Sequence, residues 1–177
     1  MKKQKLIMHD KNLRKTAKQS TRYPFIAEHR GGPLTKDNHR KLIKWARECS
    51  EHVFFLIEKD IDKRLIYALD VARKWENGDV PTGVAMKASL GAHEVARQVK
   101  DPIYKAIARS VGQAVATAHM ADHSLGGAFY ALKAIKLAKK NIENERDWQT
   151  KKLGELPSDI VEIVQTMWTK KALDQKI

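Results

Sequence analysis

At 177 residues with 42% hydrophobic side chains, the chain is long enough for one ordinary domain with its own core and too short for two. Its one cysteine, Cys49, excludes an intrachain disulfide, and no apolar run approaches the roughly 20 residues that cross a bilayer, so a soluble protein in a reducing cytoplasm is expected. The formal charge of +13 is uneven, for residues 1–33 carry nine basic side chains against Asp10 and Glu28, +7 net, and leave +6 for the rest of the chain.

Residues 1–33 read as a basic arm. The opening MKKQKLIMHDKN has only Leu6, Ile7 and Met8 before charge resumes, which is not the pattern of an export signal. Leu6 to Ala17 predicts a short basic helix, and Gly31, Gly32 and Pro33 oppose helix and strand alike and mark a boundary. An arm of this charge meets nucleic acid, an acidic protein or solvent. With only Tyr23 and Phe25 as interleaved aromatics, solvation or docking on the body is the reading preferred over nucleic-acid binding through residues 1–33.

The folded body is expected over 34–177. Thr35 is a good N-cap, Asp37 suits a first turn, and Leu42, Trp45, Ala46, Cys49, Val53, Leu56 and Ile57 recur at helical spacing, predicting a first helix to about Lys59 with Cys49 in the core. Asp62 opens a second helix with Leu65, Ala68, Leu69, Ala72 and Trp75 on one face, and Asn77-Gly78 ends it. Asp79, Pro81 and Thr82 restart the chain into a third, alanine-rich helix. Asp101-Pro102 caps a fourth, which uses Ile103, Ala106, Ile107, Ala114, Val115 and Ala118. Unbroken from Pro102 to Lys140, that helix would run nearly 60 Å at 1.5 Å per residue, too long for a domain of this size. A break near Ala121 to His123 is therefore expected, with Asp122 capping a fifth helix that carries Leu125, Phe129, Leu132, Ile135 and Ala138. Asn141 to Gly154 is charged and weakly helical, anchored by Trp148. Pro157 and Ser158 open a last helix with Ile160, Val161, Val164, Met167 and Trp168 inward. No alternating strand pattern occurs, so the fold class is all-α: a single-domain bundle of about six helices whose alanine-rich central members pack closely.

Gly112 to Ala128, GQAVATAHMADHSLGGA, is where chemistry would concentrate. His119 and His123, four apart, would stack about 6 Å apart on a continuous helix. With His93 and Asp122 they would make a set for zinc or another transition metal, with Glu94 as an orienting group. The pattern is not H-E-x-x-H, however, and a break at Asp122 removes the stacking. The preferred reading is a structural helix corner in which His119, Asp122 and His123 satisfy one another or backbone carbonyls. His39, Trp45, Arg47 and Glu48 form another mixed group, with Trp45 read as core. Arg64, Arg73, Arg97 and Arg109 either line a groove for a carboxylate-rich partner or pair locally with Asp70, Glu76, Glu94 or Asp101. Gly126-Gly127 reads as close helix contact. There is no Gly-rich phosphate loop and no nucleophile elbow.

The order of LTKDNHRKLIKWARECSEHVFFLIE, DKRLIYALDVARKWENGDV, KASLGAHEVAR, VGQAVATAHMADHSLGGAFYALKAI and ERDWQTKKLGELP resembles that of the bacterial putative immunity proteins with an Imm-5-like domain. The likeness runs from about Leu34 to Pro157 and centres on A-x-A-H-x-A-D-H at Ala116 to His123. It implies an all-helical protein that neutralises a cognate toxin by binding it, without catalysis or cofactor; the charge of the chain adds an expectation that the toxin face is acidic. A metal-dependent enzyme or sensor and a nucleic-acid accessory protein are the alternatives, and self-association stays open. The chain departs from the family pattern at Phe54-Phe55, where relatives have a proline, at Asp62-Lys63-Arg64, where they have a turn leading to Arg-Pro-Arg, and in its basic arm.

Overall fold

The computed structural model describes residues 21–177; the basic helix expected at Leu6 to Ala17 lies outside them. Seven α-helices follow in order: α1 (Lys36–His52), α2 (Lys63–Asn77), α3 (Thr82–Gln98), α4 (Pro102–Ala116), α5 (His123–Leu137), α6 (Ile142–Leu153) and α7 (Ser158–Lys170). Among the described residues there is no strand, only an isolated bridge between Ala27 and Leu34, and no helix is long and apolar enough to cross a membrane.

Most helix starts follow the local chemistry of the chain. The Thr35 hydroxyl accepts from the Asn38 amide at 3.2 Å. Asp62 accepts from Arg64 N at 2.9 Å, and Asp101 from Ile103 N and Tyr104 N at 2.7 and 2.9 Å. Each bond satisfies an amide that the first helical turn leaves without an intrahelical partner. Gly78, with φ 87°, closes α2 in the left-handed conformation that a glycine adopts at no steric cost. Asn141 caps α6, making a full helix of a segment that sequence reads as weakly helical.

Two expectations need correction. The first helix stops at His52 rather than Lys59. A 3-10 turn at Phe54–Leu56 replaces its last turns, because Val53 is fully buried and Phe54 packs against both halves of the core, while Phe55 turns outward, 62% exposed. Asp79 does not start α3; its amide closes the α2 turn on Lys74 O, and Pro81 takes the N-cap position without a side-chain bond. The end of the basic arm, from Tyr23 on, docks on the body, which is one of the outcomes weighed for it. Two 3-10 turns, Tyr23–Phe25 and Glu28–Arg30, bury Phe25 beside Leu34, and the turn ends at Gly31 with φ 82°.

Two apolar clusters share α1 and α4. On one side Ile43 of α1 meets Leu65, Leu69 and Trp75 of α2, the alanine face of α3, and Val111 and Val115 of α4. On the other, Leu42, Trp45 and Cys49 of α1 meet Phe25, Leu34, Ile107, Leu125, Ile135, Leu153, Ile160, Val164 and Met167. The tightest pairings are α4 with α5 and α3 with α4. A Cβ on Gly127 would sit 3.2 Å from Ala46 Cβ and 3.4 Å from Ala114 Cβ, so small residues set how closely α1, α4 and α5 approach. At the same crossing the Ser110 hydroxyl donates to the Gly127 carbonyl at 2.7 Å and lies 2.8 Å from Ser50 Oγ, which keeps a buried polar pair satisfied.

Candidate functional site

The overlong helix does break before His123, but already after Ala116 and not at Ala121, in a run of short turns: His119 N and Met120 N both reach Ala116 O, and His123 N reaches Met120 O. Asp122 occupies the N-cap position of α5 but does not cap it. Its carboxylate makes no bond to a helix amide and instead accepts from Arg22 Nε at 3.2 Å and Lys171 Nζ at 3.5 Å. The corner is thus tied by ion pairs to both ends of the described chain. Ser124 Oγ donates to Ala121 O at 2.7 Å, a local bond within the turn.

The histidines do not behave as the sequence suggests. His123 Nδ1 lies 2.7 Å from Gln113 Oε1, and that glutamine side chain covers Gly126, where a Cβ would meet it at 2.6 Å. His93 of α3 lies flat over Gly112, whose absent side chain leaves room for the ring. The His119 ring is 5.2 Å from the His123 ring, and its Nδ1 is buried with no hydrogen-bond partner. The residue that does bond a corner carbonyl is His39, whose Nε2 donates to Thr117 O at 2.5 Å while its ring stands edge-on to Trp75 at 5.0 Å. Burial holds the pKa of His39, His93, His119 and His123 below the ordinary histidine value, so all four favour the neutral ring. Among the described residues no three His, Cys, Asp or Glu side chains form a group that could hold a metal ion; Asp122 is held by Arg22 and Lys171, and His123 by Gln113.

The four arginines weighed as a groove are each engaged near home. Arg64 grips Asp62 and donates to Gln98, and Gln98 in turn donates to Glu94, which also holds Arg97. Arg73 pairs with Glu51, and Arg109 lies 5.6 Å over the Tyr130 ring. The mixed group on α1 resolves differently. Trp45 is core, and Arg47, 8% exposed, forks onto Glu76 at 2.6 and 3.1 Å and takes Glu51 at 2.7 Å.

Around the corner opens a cleft of about 1120 Å³. Its floor is Phe25, Leu34, His39, Trp75 and Ala118, its far wall His119, Met120 and Asp122, and its rim Arg22, Glu28, His29, Arg30 and Lys36. Sequence reasoning missed this cleft, because it forms only when the turn at Tyr23–Arg30 folds onto the start of α1. The one legible signal was Phe25, an aromatic inside a basic stretch. Also missed was a buried polar link in which Glu145, 4% exposed, accepts from Gln149 Nε2 at 2.9 Å and meets His52 Nδ1 at 2.6 Å. The His52 ring stacks on Trp148 at 3.7 Å. Burial raises the Glu145 pKa above the usual carboxylate value, against the opposing pull of Gln149 and His52.

Residues 32–156 match the model of one protein family, described as Imm-5 like putative immunity protein. No curated protein and no solved structure matches this chain.

Proposed function

This chain belongs to the Imm-5 like putative immunity protein family, whose model covers more than half of it, and from that premise we propose that it neutralises a cognate bacterial toxin by direct binding in the cytoplasm, without catalysis. The family match carries the reading. The geometry supports it: the side chains at the α4–α5 corner are spent on holding two helices and the N-terminal turn together, and the open cleft beside them is rimmed by cations. With a net charge of +13, the partner presents an acidic face. The test is co-expression with a candidate toxin. Restored growth and a complex that survives gel filtration are expected; absence of both protection and complex would overturn the proposal.

A further inference from the structure

We infer that the cleft between the Tyr23–Arg30 turn and the α4–α5 corner is the recognition site, and that it takes an acidic segment of the partner protein, its carboxylates meeting Arg30 and Lys36 at the rim. The inference rests on the immunity reading for the identity of the partner, but the chemistry of the cleft stands on its own observations. At about 1120 Å³ the cleft far exceeds the 200 Å³ hollow lined by Trp45, Leu132 and Trp168. Arg30 and Lys36 are exposed, and among the described residues neither has a carboxylate within ion-pair distance, whereas most other arginines of the body are already held. Asp122 is neutralised from two sides by Arg22 and Lys171, so it does not repel an incoming anion. Glu28 is turned to the start of α1, where its carboxylate accepts from the Lys36 amide at 3.2 Å. Beneath these groups Phe25, Leu34 and Trp75 supply the apolar floor that gives a docked segment its burial.

A nucleic-acid phosphate run fits less well. Arg30 and Lys36 are the lysine and arginine side chains of the cleft without an ion pair among the described residues, and two charges are few for a nucleic acid, whose affinity rests on neutralising many phosphates.

The experiment uses the full chain and two variants on exposed side chains, the double Arg30→Glu, Lys36→Glu and the single Glu28→Gln. Hexaglutamate is titrated while the imidazole resonances of His39 and His119 are followed by NMR. Both sets should shift and saturate in the wild type, shift about tenfold less readily in the double variant, and shift more readily in Glu28→Gln. Absence of any imidazole shift at about 1 mM probe overturns the inference. So do shifts driven by a short DNA duplex and not by hexaglutamate. In the co-expression assay, a toxin that binds the double variant within twofold of wild type overturns the cleft and leaves the immunity reading standing. Hexaglutamate binding without protection from the toxin does the reverse.

Discussion

Glycine to alanine in a helix interior is the same chemical change at Gly127 and Gly91, and the structure assigns it opposite signs. In α5, a Cβ on Gly127 would lie 3.2 Å from Ala46 Cβ, 3.3 Å from Ala46 O and 3.4 Å from Ala114 Cβ. These distances fall below the 3.5–4.0 Å at which carbon atoms attract, and the neighbours are backbone or Cβ atoms with no rotamer to swing aside. Alanine would regain about 1 kcal/mol of helix propensity, but separating α1 and α4 from α5 costs about 1–3 kcal/mol, for a net loss of about 1 kcal/mol. In α3, a Cβ on Gly91 meets nothing within 4 Å, so the propensity term stands alone and the variant gains up to about 1 kcal/mol. For a chain of this length 1 kcal/mol moves Tm by about 2–4 °C. Thermal unfolding followed at 222 nm should show Gly127→Ala melting lower than wild type and Gly91→Ala higher. Shifts of the same sign would refute the argument that α1, α4 and α5 are held apart by the size of one residue.

Glu76→Ala leaves the buried Arg47 guanidinium with Glu51 alone, which predicts a loss of about 2–3 kcal/mol by urea unfolding. Replacing both partners with leucine or methionine should cost less than removing Glu76, because no charge is then stranded. The four histidines with depressed pKa values bind protons more readily unfolded than folded. Stability should therefore fall as pH drops below about 6.5, and a Tm that rises between pH 7 and pH 6 would contradict the assignment. Glu145, with a raised pKa, acts in the other direction: the penalty of burying its charged form is relieved as pH falls through its folded value toward 4.5, and Glu145→Gln should remove that recovery. Cys49 is fully buried and its thiol is pushed well up by burial, so it should react with a disulfide reagent only at the rate of unfolding; rapid labelling of the native protein would count against its place in the core.

The site was only partly legible. That the chain must turn near Ala121 to His123 follows from helix length, and that small residues flank the turn follows from reading the letters. Which histidine does what does not follow. His123 finds Gln113, ten residues back, and His93 finds Gly112 from another helix. The carbonyl of Thr117 is claimed by His39, 78 residues earlier. Asp122 looked like a cap because aspartate before a helix usually is one. Arg22 and Lys171, brought in from remote parts of the chain, compete for it successfully. In α6, a segment that reads as charged and weakly helical places Glu145 and Gln149 inward, where His52 and the Ala128 carbonyl satisfy them.

What the sequence determined by itself was local and periodic. The caps at Thr35, Asp62 and Asp101, the glycine stop at Gly78, the all-helical class and the inward rows of α2, α4 and α7 each depend on residues within a turn or two of one another. What only the tertiary structure decided was everything that joins distant segments: the early end of α1 at His52, the partners of the corner histidines and of Asp122, and the cleft bounded by the Tyr23–Arg30 turn. Buried polar groups must find partners wherever the packing places them, and a chain read in order shows the groups but not the distances that choose among them.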